Sequence, residues 1–257
     1  MRPTLAFPTP TRITRLRLAF VCGLLLAGQL NLSTLRAETI RVGFYNAPPL
    51  MIQAKHQGIY HDLLQKIAQI TGDTFKIEYY STARLQRQFE EGKIDLEPGV
   101  NPQWRQASLH PGIYSIPFAA LEQVVLFRPG TAFSILGPNS LKGRSVGTIR
   151  GYTYPGFTTS LRQGEIERID VTDEPQLLRL LDSGRINQVF VDRVVQRYWA
   201  QQHPRFYRYP TSRTLNRVDV MLRLRPSLTH ALPRINQAIS LLQSQGVISQ
   251  LFAHYLR

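Results

Sequence analysis

The side chains able to do chemistry are few, and whole reaction classes are missing. The single cysteine, Cys22, sits near the N-terminus, so the rest of the chain offers no thiolate nucleophile and no cysteine metal site. His56 and His61 are five positions apart, which does not put both on one helix face. The other four histidines are dispersed. No metal site and no cofactor is therefore expected. Neither G-x-S-x-G nor G-x-x-x-x-G-K-[ST] occurs, which removes the common serine-hydrolase and phosphate-loop chemistries. What remains is charge. Asp192 follows the apolar run Val189-Phe190-Val191, which places it at the carboxyl end of a predicted strand, where open α/β sheets hold ligands. An Asp there also caps a helix well, and a helix is predicted over 193–201; the two roles can coexist.

The elements that must position these groups alternate. Residues 39–44 read as a strand that stops at Asn46-Ala47-Pro48-Pro49, since proline cannot continue a ladder. Leu63, Leu64, Ile67 and Ile70 fall at helical spacing over 60–71, and Gly72 follows as a stop. A strand over 75–80 and a helix over 82–91 come next. This order implies an α/β chain with largely parallel sheets. The stretch Leu85 to Asp95 is echoed by Leu178 to Asn187, each an amphipathic helix, a glycine, a basic residue and an Ile entering a strand. Glycine supplies the left-handed turn both times. Two such units about ninety residues apart imply two lobes with a ligand cleft between them.

The N-terminus carries a different signal. Arg12, Arg15 and Arg17 precede the apolar run Leu18 to Ala27, and the segment closes at Leu35-Arg36-Ala37. This is the layout of a secretory signal peptide over residues 1–37, with an apolar run short of the ~20 residues that span a bilayer. The whole chain has 31 basic and 17 acidic residues, net +14; residues 1–37 hold five of the basic ones and none of the acidic, leaving 26 against 17, or +9. Of the 31 basic residues 26 are Arg and five are Lys, scattered rather than clustered with aromatics. No nucleic-acid partner is expected from that pattern.

Several short segments then occur in a telling order. They are Ile40-Arg41-Val42-Gly43 with Pro48-Pro49-Leu50, Gly58-Ile59-Tyr60-His61-Asp62-Leu63, Gly92-Lys93-Ile94-Asp95, and Asn101-Pro102-Gln103-Trp104-Arg105. Tyr114-Ser115-Ile116-Pro117-Phe118, Leu141-Lys142-Gly143-Arg144-Ser145-Val146-Gly147, Gly184-Arg185-Ile186-Asn187 through Asp192, and Leu241 to Leu256 with Gly246 complete the set. Each is weak alone. In this order, from Ile40 to Tyr255, the chain resembles the bacterial extracellular solute-binding proteins of family 3, the periplasmic receptors of polar amino-acid ABC importers.

The resemblance implies a two-lobed periplasmic-binding-protein fold, two α/β lobes joined by two hinge strands with the ligand cleft between them. Lobe one would comprise 38–126 and 220–257, lobe two 127–219, with crossings near Val124–Arg128 and Val218–Arg223. It implies a periplasmic, monomeric, non-enzymatic protein that binds a small polar solute and meets an inner-membrane ABC permease. The alternatives are a ligand sensor for a membrane signalling partner and a cyclohexadienyl-dehydratase-like enzyme on the same fold. Arg105 matches the family's carboxylate-binding arginine and Asp192 its ammonium-binding aspartate. Gly151-Tyr152-Thr153 resembles a loop whose backbone and hydroxyl hold the carboxylate at a helix start, although Tyr152 is larger than the usual residue. Tyr45 and Asn46 fall where the family presents an aromatic or polar group. The span from Asp95 to Arg105 is about two residues shorter than in typical members, and Asn101 with Glu97 stands where Ser or Thr donors are usual. Glu97 would repel a ligand carboxylate unless it pairs with an arginine or the ligand is cationic. Arg105→Ala is expected to abolish binding with little change in stability.

Overall fold

The computed structural model describes residues 37–257; the signal peptide expected over 1–37 lies outside the described residues, Ala37 excepted. Nine strands form one sheet of order β2-β1-β3-β9-β5-β8-β6-β7, with β4 paired to β9. The strands are β1 Thr39–Phe44, β2 Thr74–Tyr79, β3 Leu96–Val100, β4 Ile113–Tyr114, β5 Ala119–Phe127, β6 Ser145–Ile149, β7 Glu167–Val171, β8 Gln188–Asp192 and β9 Asn216–Leu224. The described helices are α1 Ile59–Thr71, α2 Thr82–Glu90, α3 Thr158–Arg162, α4 Glu174–Asp182, α5 Arg193–Gln202, α6 Leu232–Ser244 and α7 Val247–Tyr255.

The sheet changes character along its length, and that change makes the cleft. At one end β1 pairs in parallel with β2 and β3; at the other β6 pairs in parallel with β7 and β8. Between them the long strands β5 and β9 run antiparallel to each other over Ala119–Gln123 and Asn216–Val220. Beyond Gln123, β5 turns to β8; beyond Val220, β9 turns to β3. Each strand therefore serves both halves. The cores follow the same division. Ile40, Phe44, Leu63, Leu96, Val220 and Ile239 lie in one cluster, while Leu126, Ile149, Leu178 and Val191 lie in another.

The sequence echo corresponds to one repeated construction. After α2 the Gly92 N–H donates to Phe89 O and the Lys93 N–H to Gln88 O; after α4 Gly184 donates to Leu181 O and Arg185 to Leu180 O. Both glycines have φ of 72°. These bonds satisfy the last helical carbonyls and turn the chain into β3 and β8. Both strands deliver their carboxyl ends to the cleft.

Candidate functional site

A cavity of about 40 Å³ lies between the two halves. One wall is made by Tyr45 after β1, Gly99 and Val100 of β3, Trp104, Arg105 and Leu121. The other is made by Gly151, Tyr152 and Thr153 after β6 and by Asp192 ending β8, with Gln123 at the changeover of β5. Of the residues expected from sequence, the structure gathers Arg105, Asp192, Thr153, Tyr152 and Tyr45 here. Three stand elsewhere. Asn46 accepts from the Gln53 N–H, holding its own loop. Asn101 caps the turn at Pro102–Arg105 by accepting from Gln103 N–H, and donates to Asp219 O. Glu97 is fully buried behind the cavity wall. Short polar side chains close to a turn satisfy backbone groups first.

Glu97 sits between two arginines. Arg105 Nε and Nη2 donate to its two oxygens, and Arg223 Nη1 donates at 3.0 Å. Glu97 and Arg223 are register partners on β3 and β9. Arg223 is fully buried, lies over the Phe89 ring at 3.8 Å, and also donates to Pro111 O, Ser108 Oγ and His110 O. Burial alone would raise the Glu97 pKa, but the two arginines outweigh it and hold the carboxyl below its usual range. The expected repulsion of a ligand carboxylate is thus removed: the trio carries a net charge of +1. Arg105 uses three of its five N–H groups, on Glu97 and on Trp104 O. The two N–H groups left without a protein acceptor belong to Nη1 and Nη2, one on each. They are free to donate to a carboxylate.

The expectation for Arg105→Ala needs correction. Arg105 is 7% exposed, and truncating it would leave Glu97 with half of its compensation. Loss of stability must accompany any loss of binding.

The opposite wall is acidic and short of partners. Asp192 occupies the N-cap position of α5 but makes no side-chain cap bond, so its carboxylate is free to face the cavity. It is half-buried, and the protein around it pushes its pKa up to about 7. Tyr152 crosses the cleft and meets Tyr45 edge-on, with ring centroids 5.7 Å apart. Its hydroxyl donates to Glu174 Oε1 at 2.5 Å. Glu174 is 4% exposed, at the first position of α4, and burial raises its pKa to about 8.

The Gly151 loop differs from expectation. Gly151 has φ of 90°, and a Cβ there would lie 3.3 Å from Ala83 N. Gln86 Nε2 of α2 donates to Gly151 O at 2.9 Å. The loop thus ties one half to the other. A helix does not begin at Thr153. Tyr154 is buried, accepts from the Ile149 N–H and stacks on Phe190, and the short α3 starts only at Thr158. Gly99 is the second glycine with a specific cause: it sits at a bulge with φ of 74°, and a Cβ would lie 2.3 Å from the Tyr60 ring.

Sequence reasoning missed Gln123, Trp104, Glu174 and Arg223. Only Trp104 carried a signal, through its place beside Arg105. Among the described residues no group of three or more His, Cys, Asp or Glu side chains could hold a metal ion, and no helix is long and apolar enough to cross a membrane.

The profile of the bacterial extracellular solute-binding proteins, family 3, matches residues 40–257. The chain belongs to this family. Its fold is that of two-lobed periplasmic amino-acid-binding proteins. Similar solved structures include the GluR0 ligand-binding core from Nostoc punctiforme in complex with L-glutamate, at 22% identity and TM-score 0.71, covering 84% of this chain and 98% of that one. An ancestral arginine-binding protein bound to arginine aligns at 20% identity and TM-score 0.71, covering 87% of this chain and 100% of that one. An arginine-specific periplasmic binding protein of Salmonella typhimurium aligns at 19% identity and TM-score 0.68, covering 86% and 100%. A search of curated proteins finds no match. Membership of the family supports a ligand-binding role for the cleft.

Proposed function

We propose that this protein is a periplasmic receptor that captures an α-amino acid, or a close relative, between its lobes and delivers it to an inner-membrane ABC permease. The observation that carries this reading is the pairing of opposite unused groups on one cavity. Arg105 keeps one N–H on each Nη without a protein acceptor, and Asp192 presents a carboxylate that neither caps its helix nor pairs with a cation. A zwitterion complements both: its carboxylate on the guanidinium, its ammonium on Asp192. Thr153 and the Trp104 indole N–H, which is buried without a partner, add donors. The cavity of about 40 Å³ exceeds one water and falls short of an amino acid, so ligand entry requires the lobes to part by a hinge motion. We assign 38–126 with 220–257 to one lobe and 127–219 to the other; the core clusters support that division except at Val124, Val125 and Leu126, which pack with the second lobe. Export through the N-terminal segment, supported by the basic and apolar pattern of residues 12–27, completes the reading, together with a monomeric state.

A thermal-shift screen of the purified protein against the amino acids tests it. A ligand that binds only the folded state raises Tm with the logarithm of its excess over Kd. Stabilisation by at least one α-amino acid, lost when its carboxylate is amidated, is the expected result. No stabilisation by any of them overturns the reading.

A further inference from the structure

Behind Tyr152 the protein buries acceptors without donors. Glu174 Oε1 accepts from Tyr152, but Oε2 is buried with no hydrogen-bond partner. Gln123 Oε1 is buried and unpartnered as well. Both residues, with Tyr152 and Asp192, line a second cavity of about 10 Å³ that shares these last two and Gln123 with the main one. The placement follows from the sheet. Gln123 and Asp192 are register partners on β5 and β8, so their side chains stand on the same face, and directly opposite partners sit about 5 Å apart. Glu174 reaches the same spot from the N-terminus of α4.

An acceptor buried without a donor costs about 1–3 kcal/mol, and a carboxylate without a counter-charge costs more. The other buried glutamate of the cleft shows how the fold satisfies such a group when the group is structural: Glu97 has two arginines. Among the described residues no salt bridge reaches Glu174 or Asp192. In the ionised state the Glu97, Arg105 and Arg223 trio contributes +1, and Asp192 with Glu174 contributes −2. A zwitterionic ligand satisfies Arg105 and Asp192 and leaves Glu174 over. What complements a carboxylate oxygen and an amide oxygen together is a group with donors only and a positive charge. A volume of about 10 Å³ matches one water-sized group. A primary ammonium has that size; a planar guanidinium does not.

We propose that Glu174 and Gln123 form a subsite for a distal primary ammonium, so that the solute is a diamino carboxylic acid of the lysine or ornithine kind. The proposal rests on the reading that the cleft binds an α-amino acid. Tyr152 keeps its bond to Glu174 Oε1, and the ligand ammonium donates to Glu174 Oε2 and Gln123 Oε1. Tyr152 then forms the wall between the α-amino acid site and the side-chain subsite.

Calorimetric titration of the purified protein with lysine, ornithine, norleucine and glutamine decides it, with Glu174→Gln as the variant. Lysine or ornithine should bind the wild type at least about 100-fold more tightly than norleucine, which lacks only the ammonium. Glu174→Gln should weaken the diamino ligand about 100-fold and leave glutamine within about threefold. Norleucine or glutamine binding the wild type as tightly as lysine overturns the subsite while leaving the amino-acid reading intact. So does a Glu174→Gln variant that loses lysine and glutamine equally. If no amino acid binds the wild type, the underlying reading fails and the subsite with it. Should Glu174→Gln not fold, as judged by circular dichroism, the wild-type comparison of lysine with norleucine settles the matter alone.

Discussion

Glu97 and Glu174 are two buried glutamates beside one cleft, and the fold treats them in opposite ways. Glu97 lies on β3 between Arg105 and Arg223, fully bonded, with its pKa held down. Glu174 lies at the start of α4 with one tyrosine hydroxyl on one oxygen, nothing on the other, and its pKa raised to about 8. The first is an internal brace: it fixes the Arg105 guanidinium plane beside the cavity. The second leaves one oxygen without a partner and, with Asp192, forms an acidic wall whose carboxyl groups hold their protons more tightly than usual. A binding protein gains from this division. In the proposed reading the anchoring group is set before the ligand arrives, while the acidic wall discriminates among ligands.

The largest effect should come from breaking the brace. Glu97→Ala leaves two buried guanidinium groups without their counter-charge and should cost about 3–5 kcal/mol in urea unfolding. A loss below about 1 kcal/mol would show that Arg105 and Arg223 are not held as described. Next comes Asp192→Asn. Its side chain makes no cap bond, so stability should hold or rise slightly, while amino-acid affinity falls by about 2–5 kcal/mol. A drop in stability of about 1 kcal/mol with affinity unchanged would instead mark a helix cap.

The contrast also has a pH signature. Glu174 has a folded-state pKa of about 8 against about 4.3 when unfolded. Its contribution is fully present below about pH 4 and is lost as pH rises through about 8. Glu97 has the opposite sign, since its folded pKa is depressed: its contribution is present above about pH 4.3 and is lost as pH falls below that. Comparing Glu174→Gln with the wild type isolates the first term. Their Tm values should agree near pH 4 and separate in favour of the variant by at least about 3 °C at pH 9. A difference that does not change with pH would mean that Glu174 is not desolvated. The smallest effect is expected at the tie between halves. Gln86→Ala removes the bond to Gly151 O, worth about 1 kcal/mol, and should widen the ligand-free protein in small-angle scattering. An unchanged radius would show that this bond does not hold the halves together.

The fold was legible because it is written in patterns that local physics repeats. Leu63, Leu64 and Ile67 mark the inward face of α1, and Gly92 and Gly184 end two helices in the same way. Asp192 was legible because the apolar residues before it place it at a strand end. Arg223 was not. It alternates with Val220 and Leu222 along β9, so period two assigns it to solvent; the segment carrying Ser108, His110 and Pro111, together with Phe89, covers that face instead. Glu174 was not legible either, since an acidic residue in the first turn of a helix is ordinary and nothing local says that Tyr152 will fold over it. Asn46 and Asn101 read as ligand groups by type, yet both serve their own turns. Long-range contacts decide which polar residues reach the cleft, and these leave no period in the sequence.

In the proposed complex Arg105 and Asp192 hold the two ends of one α-amino acid. A crystal structure of the protein with the amino acid that raises Tm most tests this directly. The expected result is the ligand carboxylate on the Arg105 Nη groups, with Glu97 still on the Nε/Nη2 edge, and the α-ammonium on Asp192. A ligand bound in the cleft without touching either residue, or with Glu97 displaced from Arg105, would contradict it.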